Sequence, residues 1–131
     1  MNDCLFCKII DGSIPSKKIY EDNKILVFMD INPNTNADLL MIPKKHYVTI
    51  NDVDNDTLIH MIDTIKNKII PLLKDKLNID GLTLIQNNGE GQEIKHFHIH
   101  LTSRYTNDDL RIESNKDILK ELDEVHNILT N

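Results

Sequence analysis

The chain lacks any apolar run near the roughly 18 residues that a membrane-spanning helix needs. It has only two cysteines, Cys4 and Cys7. They lie too close in sequence to staple a large loop, which excludes a disulfide framework. Basic charge is short: 15 lysines and arginines stand against 21 aspartates and glutamates, a formal net charge of -6. Sequence-independent binding to nucleic acid needs a basic surface, so that function is excluded. A small anionic ligand is not, because a few local donors hold one inside an acidic protein. Met1-Asn2-Asp3-Cys4 does not join a basic stretch to an apolar one, so no secretory leader is expected. Repeats, low-complexity tracts and linkers are also missing. These absences leave the expectation of a soluble, cytoplasmic protein with neither membrane nor nucleic acid among its partners.

What is present suits a single domain over residues 1–131. That length buries a core without staples. Leu5–Ile10 reads as a short helical turn ended by Asp11-Gly12-Ser13, and Ile14-Pro15-Ser16 forces an extended stretch. Lys18–Glu21, Ile25–Met29 and Asp38–Ile42 read as an antiparallel meander, with a turn at Asp22-Asn23, a loop from Asp30 to Asn36 and a stop at Pro43. From Asp54 to Leu77 the period turns helical. Leu58, Met61, Ile62, Ile65, Ile69, Leu72, Leu73 and Leu77 form one stripe. Asp52 or Asp54 caps its start, and Pro71 predicts a kink or break. Leu82–Gln86 and Ile94–Ser103 read as the fourth and fifth strands, joined through the polar loop Asn87–Gln92. A capping box at Ser114–Asp117 opens a final amphipathic helix over about 115–129. Strands and helices mix without regular βαβ alternation, so the class is α+β.

The densest signal is His96-Phe97-His98-Ile99-His100. On a strand, alternate side chains share a face. The three histidines therefore face one way, and Phe97, Ile99 and Leu101 face the core. Alternate residues lie about 6.5–7 Å apart, so the three imidazoles divide their labour rather than meet at one atom. Metal binding, acid–base work and nucleophilic attack all suit such a row. The preceding loop carries Asn87-Asn88-Gly89 and Gly91-Gln92, whose flexible backbone is able to turn amide N–H groups toward an anion.

Cys4-Leu5-Phe6-Cys7 has the gap of zinc sites and of redox motifs. A redox motif expects a strand before the first cysteine, and only three residues precede it. A tetrahedral zinc needs two more ligands, and His46 and His96 are available. The candidate metal set is therefore Cys4, Cys7, His46 and His96, with inert thiols as the alternative. His60 and His126 read as ordinary helix residues.

These motifs together resemble the histidine triad (HIT) family of nucleotide-binding proteins, over residues from about Cys4 to Arg104. Gly91-Gln92-Glu93-Ile94-Lys95-His96-Phe97-His98-Ile99-His100 carries most of the resemblance. Phe28-Met29-Asp30-Ile31-Asn32-Pro33 and Met41-Ile42-Pro43-Lys44-Lys45-His46 complete it, in the right order. The resemblance implies a five-stranded antiparallel sheet with two main helices, and a homodimer joining two sheets into a ten-stranded one. It implies a hydrolase or nucleotidyl transferase acting at the α-phosphate of purine nucleotides, on phosphoramidate-type substrates. His98 would attack the phosphorus to form a covalent nucleotidyl-histidine, and His100 would assist the phosphate and leaving group. Leu5, Phe6, Ile9, Phe28 and Ile31 match the base pocket, Asp30 the ribose-binding acid, and Asn87 and Gln92 polar contacts near ribose and phosphate. Zinc, in a structural role, falls to Cys4, Cys7, His46 and His96. A diadenosine polyphosphate hydrolase of the same fold, or a nucleotide-binding interaction protein with little turnover, are the alternatives. The chain departs from the family pattern at several places. Glu93 and Lys95 stand where some members carry serine or proline, Thr102 is polar where an apolar residue is expected, and Ser103 replaces a frequent proline. No tryptophan is present to contribute to a leaving-group pocket.

Overall fold

The computed structural model describes residues 3–131. Its frame is one five-stranded antiparallel sheet: β1 Lys18–Glu21, β2 Ile25–Met29, β3 Asp38–Pro43, β4 Gly81–Ile85 and β5 Ile99–Arg104, in the order β1-β2-β3-β5-β4. The meander forms as expected. Asp22 closes the first turn by accepting from the Lys24 and Ile25 amides at 2.8 and 2.9 Å. Pro43 does not stop β3 but ends it as a paired residue, opposite Ile25.

Both faces of the central strands are covered, so β2 and β3 read as unbroken apolar runs. One face presents Ile25, Val27, Leu39, Met41, Ile99 and Leu101, together with Phe97, to the long helical segment. That segment contributes Met61, Ile65, Ile69 and Leu73, the buried part of the predicted stripe. Ile62 and Leu77 face outward instead. The other face presents Leu26, Phe28, Leu40 and Ile42 to Phe6 and Ile9 of α1, Leu5–Ile10. Each fully buried side chain of this size contributes about 1.5–3 kcal/mol.

The helical segment is not continuous. Asp54, not Asp52, caps α2 (Asn55–Thr64) by accepting from the Thr57 amide. A π-helical turn follows over Ile65–Ile69, then α3 over Ile70–Leu77. Pro71 is the cause. Its ring would collide with the carbonyl four residues back in an α-helix, and it offers no N–H. Widening the preceding turn, with the Ile70 amide bonded to the Ile65 carbonyl, relieves the clash.

Three expectations need correction. The fifth strand begins at Ile99, not Ile94, and the fourth covers Gly81–Ile85 rather than Leu82–Gln86. β3 pairs with β5 only over residues 99–102, and β4 only over 100–104. Residues 94–98 run past both ladders and have no strand to bond. The last helix, α4, spans Leu122–Thr130 rather than about 115–129. Asn115 caps a single 3-10 turn over Lys116–Ile118, and the backbone is extended at Leu119. None of α4 is buried. Among the described residues, no helix is long and apolar enough to cross a membrane.

Candidate active site and metal cluster

The face of the sheet beneath α1 carries a row of side chains running across three strands. Phe28 on β2 pairs with Leu40 on β3, which pairs with His100 on β5. His98 continues the same face beyond the end of the ladder, its ring 5.0 Å from that of His100 and 5.1 Å from that of Phe6, both edge-on. The histidine alternation thus survives without strand pairing. Phe97 and Ile99 still point into the opposite core, and the Phe97 amide bonds to the Tyr47 carbonyl at 2.7 Å.

His98 is 4% exposed and fixed in orientation. Its Nδ1 donates to the carbonyl of His96 at 2.7 Å. That bond leaves Nε2 of the neutral ring with its lone pair free. Burial pushes the pKa of His98 below its ordinary value. The His96 carbonyl opposes this, as do the charges of Asp30 and Glu93. The result is a neutral imidazole at physiological pH, held by one nitrogen and open at the other.

A cavity of about 390 Å³ opens in front of it. Leu5, Phe6, Ile9, Ile14, Phe28, Leu40 and Ile94 make its apolar wall. Asp30, Asn32, Asn87, Gly91, Glu93, His98 and His100 make its polar end. Of the residues singled out in the sequence, Leu5, Phe6, Ile9, Phe28, Asp30, Ile31, Asn87, His98 and His100 all line it. Ile31 sits at the rim, 90% exposed.

Gln92 does not line the cavity. It is buried in the loop, its Nε2 donating to the Val48 carbonyl at 2.6 Å and its Oε1 accepting from the Gly89 amide at 3.1 Å. It ties the Asn87–Gln92 loop to the segment after β3, and its side chain is spent on that task. Leu40, Ile14 and Glu93 are lining residues that motif reading did not assign to the pocket. Leu40 was findable from strand register, since it stands between Phe28 and His100.

Asp38 holds the loop that presents Asp30 and Asn32. Its buried carboxylate accepts from the amide and the side chain of Asn34 at 3.0 and 3.2 Å, and from Thr102 Oγ1 at 3.0 Å. The polar Thr102 thus has a partner that its own motif does not reveal.

Beside the cavity, Cys4, Cys7, His46 and His96 converge. Their donor atoms all lie within 4.8 Å of one another. Cys7 Sγ is 3.3 Å from His46 Nδ1 and 3.6 Å from His96 Nδ1. Cys4 Sγ is 3.5 Å from His96 Nδ1, and the two Nδ1 atoms are 3.1 Å apart. A tetrahedral ion with bonds of about 2.3 Å to sulfur and 2.0–2.1 Å to nitrogen has edges of about 3.3–3.7 Å. The three sulfur–nitrogen distances fall in that range, and the two nitrogens stand slightly closer than it.

His96, fully buried, donates from Nε2 to the Pro43 carbonyl at 2.8 Å, which turns the Nδ1 lone pair into the cluster. Burial lowers its pKa to about 4, which keeps the imidazole neutral and its lone pair available to an ion, and raises that of Cys7 to about 11, so the thiol gives up its proton readily only beside a cation. The four residues form a donor set that fits a metal ion.

A single antiparallel sheet with a buried histidine row on one face, next to a Cys2His2 donor set, defines the class of the protein. The chain belongs to the HIT family: the model described as the HIT domain matches residues 11–107. An uncharacterized HIT-like protein of Methanocaldococcus jannaschii is 42% identical over 124 residues, covering 93% of this chain and 95% of that one. An adenosine 5'-monophosphoramidase of Candida albicans is 38% identical over 103 residues, covering 75% of this chain and 68% of its own. An adenylylsulfatase of Arabidopsis thaliana is 39% identical over 113 residues, covering 82% of this chain and 55% of its own. A zinc-bound histidine triad protein of Mycobacterium smegmatis superposes with a TM-score of 0.79 at 32% identity, covering 87% of this chain and 84% of its own.

Proposed function

We propose that the protein is a nucleoside phosphoramidase, hydrolysing purine nucleoside phosphoramidates through a covalent nucleotidyl-histidine on His98. The observation that carries this reading is the bond from His98 Nδ1 to the His96 carbonyl at 2.7 Å, which leaves a neutral Nε2 facing a pocket sized for a nucleoside. The named activity of the Candida albicans relative supports it.

The base lies among Leu5, Phe6, Ile9, Phe28 and Ile31, and Asp30 accepts the ribose hydroxyls. Asn87 stands near the phosphate. His98 Nε2 attacks the α-phosphorus in line. An N–P bond forms as the bond to the leaving amine breaks, and the amine departs with a proton. His100, next to His98, stabilises the phosphate and serves the leaving group. Water then cleaves the phosphorus–histidine bond, releases the nucleoside monophosphate and restores the imidazole. Gln92 acts in this scheme through the loop it braces rather than by touching the phosphate.

Zinc is the ion we assign to Cys4, Cys7, His46 and His96, in keeping with the named metal of the Mycobacterium smegmatis neighbour. Bound there it cross-links the N-terminus, the segment after β3 and the histidine row, and leaves the chemistry to His98. We place the protein in the cytoplasm, as a homodimer whose two sheets join edge to edge into ten strands.

Rapid quenching with adenosine phosphoramidate tests the mechanism. We expect one adenylate, attached to His98 and absent from His98→Ala, with kcat lowered at least ~10³-fold in that variant. An adenylate on another residue, or turnover retained by His98→Ala, overturns it. Slower turnover of adenosine phosphoramidate than of diadenosine tetraphosphate would favour the polyphosphate hydrolase instead.

A further inference from the structure

The metal cluster and the cavity share the first turn of α1. Cys4 is the N-cap of that helix and Cys7 its third residue. Leu5 and Phe6, the two residues between them, both line the cavity. The Phe6 ring stands edge-on to His96 at 5.9 Å and to His98 at 5.1 Å. His96, on the other side of the cluster, holds His98 through its carbonyl. An ion in the cluster therefore fastens one wall of the cavity to the segment that carries the nucleophile. The ligands are not equally protected. His96 is fully buried, whereas Cys4 and Cys7 are free thiols in half-buried positions. The Cys7 amide donates to Cys4 Sγ at 3.4 Å, and the two sulfur atoms lie within 4.8 Å of each other. Their two-residue gap is the one that closes as a disulfide in redox motifs.

We propose that Cys4 and Cys7 are a modification site for hydroperoxides: a disulfide between them empties the cluster and loosens the nucleotide pocket, and reduction with zinc present reverses both. This inference rests on the zinc and nucleotide readings above and goes beyond them. In the loaded cluster both sulfurs are thiolates, the form that attacks an O–O bond. One thiolate takes a hydroxyl from hydrogen peroxide and becomes a sulfenic acid, while the other oxygen leaves as hydroxide. The second thiolate then attacks the sulfenic sulfur. An S–S bond forms, the S–O bond breaks and a second hydroxide leaves. Two protons turn the hydroxides into water. The two sulfurs have given two electrons to the peroxide, and the ion keeps its charge. A disulfide offers no thiolate, so two of the four ligands are lost and the ion dissociates. His96 keeps its bond to the Pro43 carbonyl, but its ring is no longer tied to α1 through a metal.

Hydrogen peroxide added to the zinc-loaded protein tests this. We expect one disulfide by mass spectrometry, one zinc released to a colorimetric chelator for each disulfide, and a calorimetric Kd for adenosine 5'-monophosphate (AMP) raised by about tenfold. Dithiothreitol with added zinc should restore the starting Kd, and circular dichroism should keep its shape throughout. Cys4→Ser cannot form the bond, so it should start at the weakened Kd and not respond to peroxide. Thiols that stay reduced, a disulfide formed with zinc retained, an unchanged Kd after zinc loss, or an unfolded chain each overturns the proposal. So does a peroxide response in Cys4→Ser, which would place the sensitive group elsewhere, with Met29 of the cavity wall the first candidate. A reduced wild type that takes up no zinc, or binds no AMP, refutes the reading beneath, and the proposal falls with it.

Discussion

At the scale of single residues, polar side chains outside the apolar core are held by specific partners. Asp22 is the clearest case. Burial alone would raise its pKa, but the Lys24 amide, His60, the Ile25 amide and the Tyr20 hydroxyl more than reverse that, lowering it from 3.8 to about 2. The folded state thus favours the carboxylate. Its contribution is complete above about pH 4 and drains away as pH falls toward 2. Asp22→Asn should cost about 1–2 kcal/mol at pH 5, after allowance for partial exposure, and almost nothing near pH 2. Urea titrations of both proteins at the two pH values check this. Such pairings were hidden in the sequence. His60 read as an ordinary helix residue because its partner lies 38 positions away. Thr102 read as a defect in a motif because Asp38, its partner, belongs to another strand. By contrast, the residues of the site that repeat at fixed short spacing were legible: His98 and His100 by alternation, Cys4 and Cys7 by their gap.

At the scale of elements, the sequence exposes periodicity but not the extent of pairing. Residues 94–103 alternate as a strand does, yet ladder hydrogen bonds begin only at Ile99, since no neighbouring strand reaches farther. Apolar period and proline likewise located the broken helix without specifying a π-helical turn. That turn has an energetic consequence. It lets Met61 before it, Ile69 at its end and Leu73 after it press on the same face of the sheet. Met61 is fully buried. Met61→Ala should therefore cost about 2–5 kcal/mol, read as a lower urea midpoint with an unchanged slope. The limits of α4 were the least legible, because no packed neighbour fixes where a stripe of apolar residues becomes a helix.

At the scale of the whole molecule, the four-donor cluster ties together parts of the chain that are remote in sequence. Cys4 and Cys7 flank the start of α1, His46 follows β3, and His96 precedes β5. Removing a ligand should therefore loosen the body of the protein as well as the site. We expect Cys4→Ser to lose most bound zinc by elemental analysis and to melt at a lower temperature than the wild type, whereas His98→Ala should keep its zinc. Retention of full metal content by Cys4→Ser would remove the cluster from the account. His96 occupies a particular place in this arrangement. Its ring serves the cluster, its Nε2 is anchored to Pro43, and its carbonyl orients His98. One residue, Phe97, separates the two histidines. The consequence is for how such a chain can change over generations. The Asn87–Gln92 loop supplies no metal ligand, but a single insertion or deletion at Phe97 would break the metal set and misdirect the nucleophile at once. That spacing should be the last feature of the sequence to tolerate an indel.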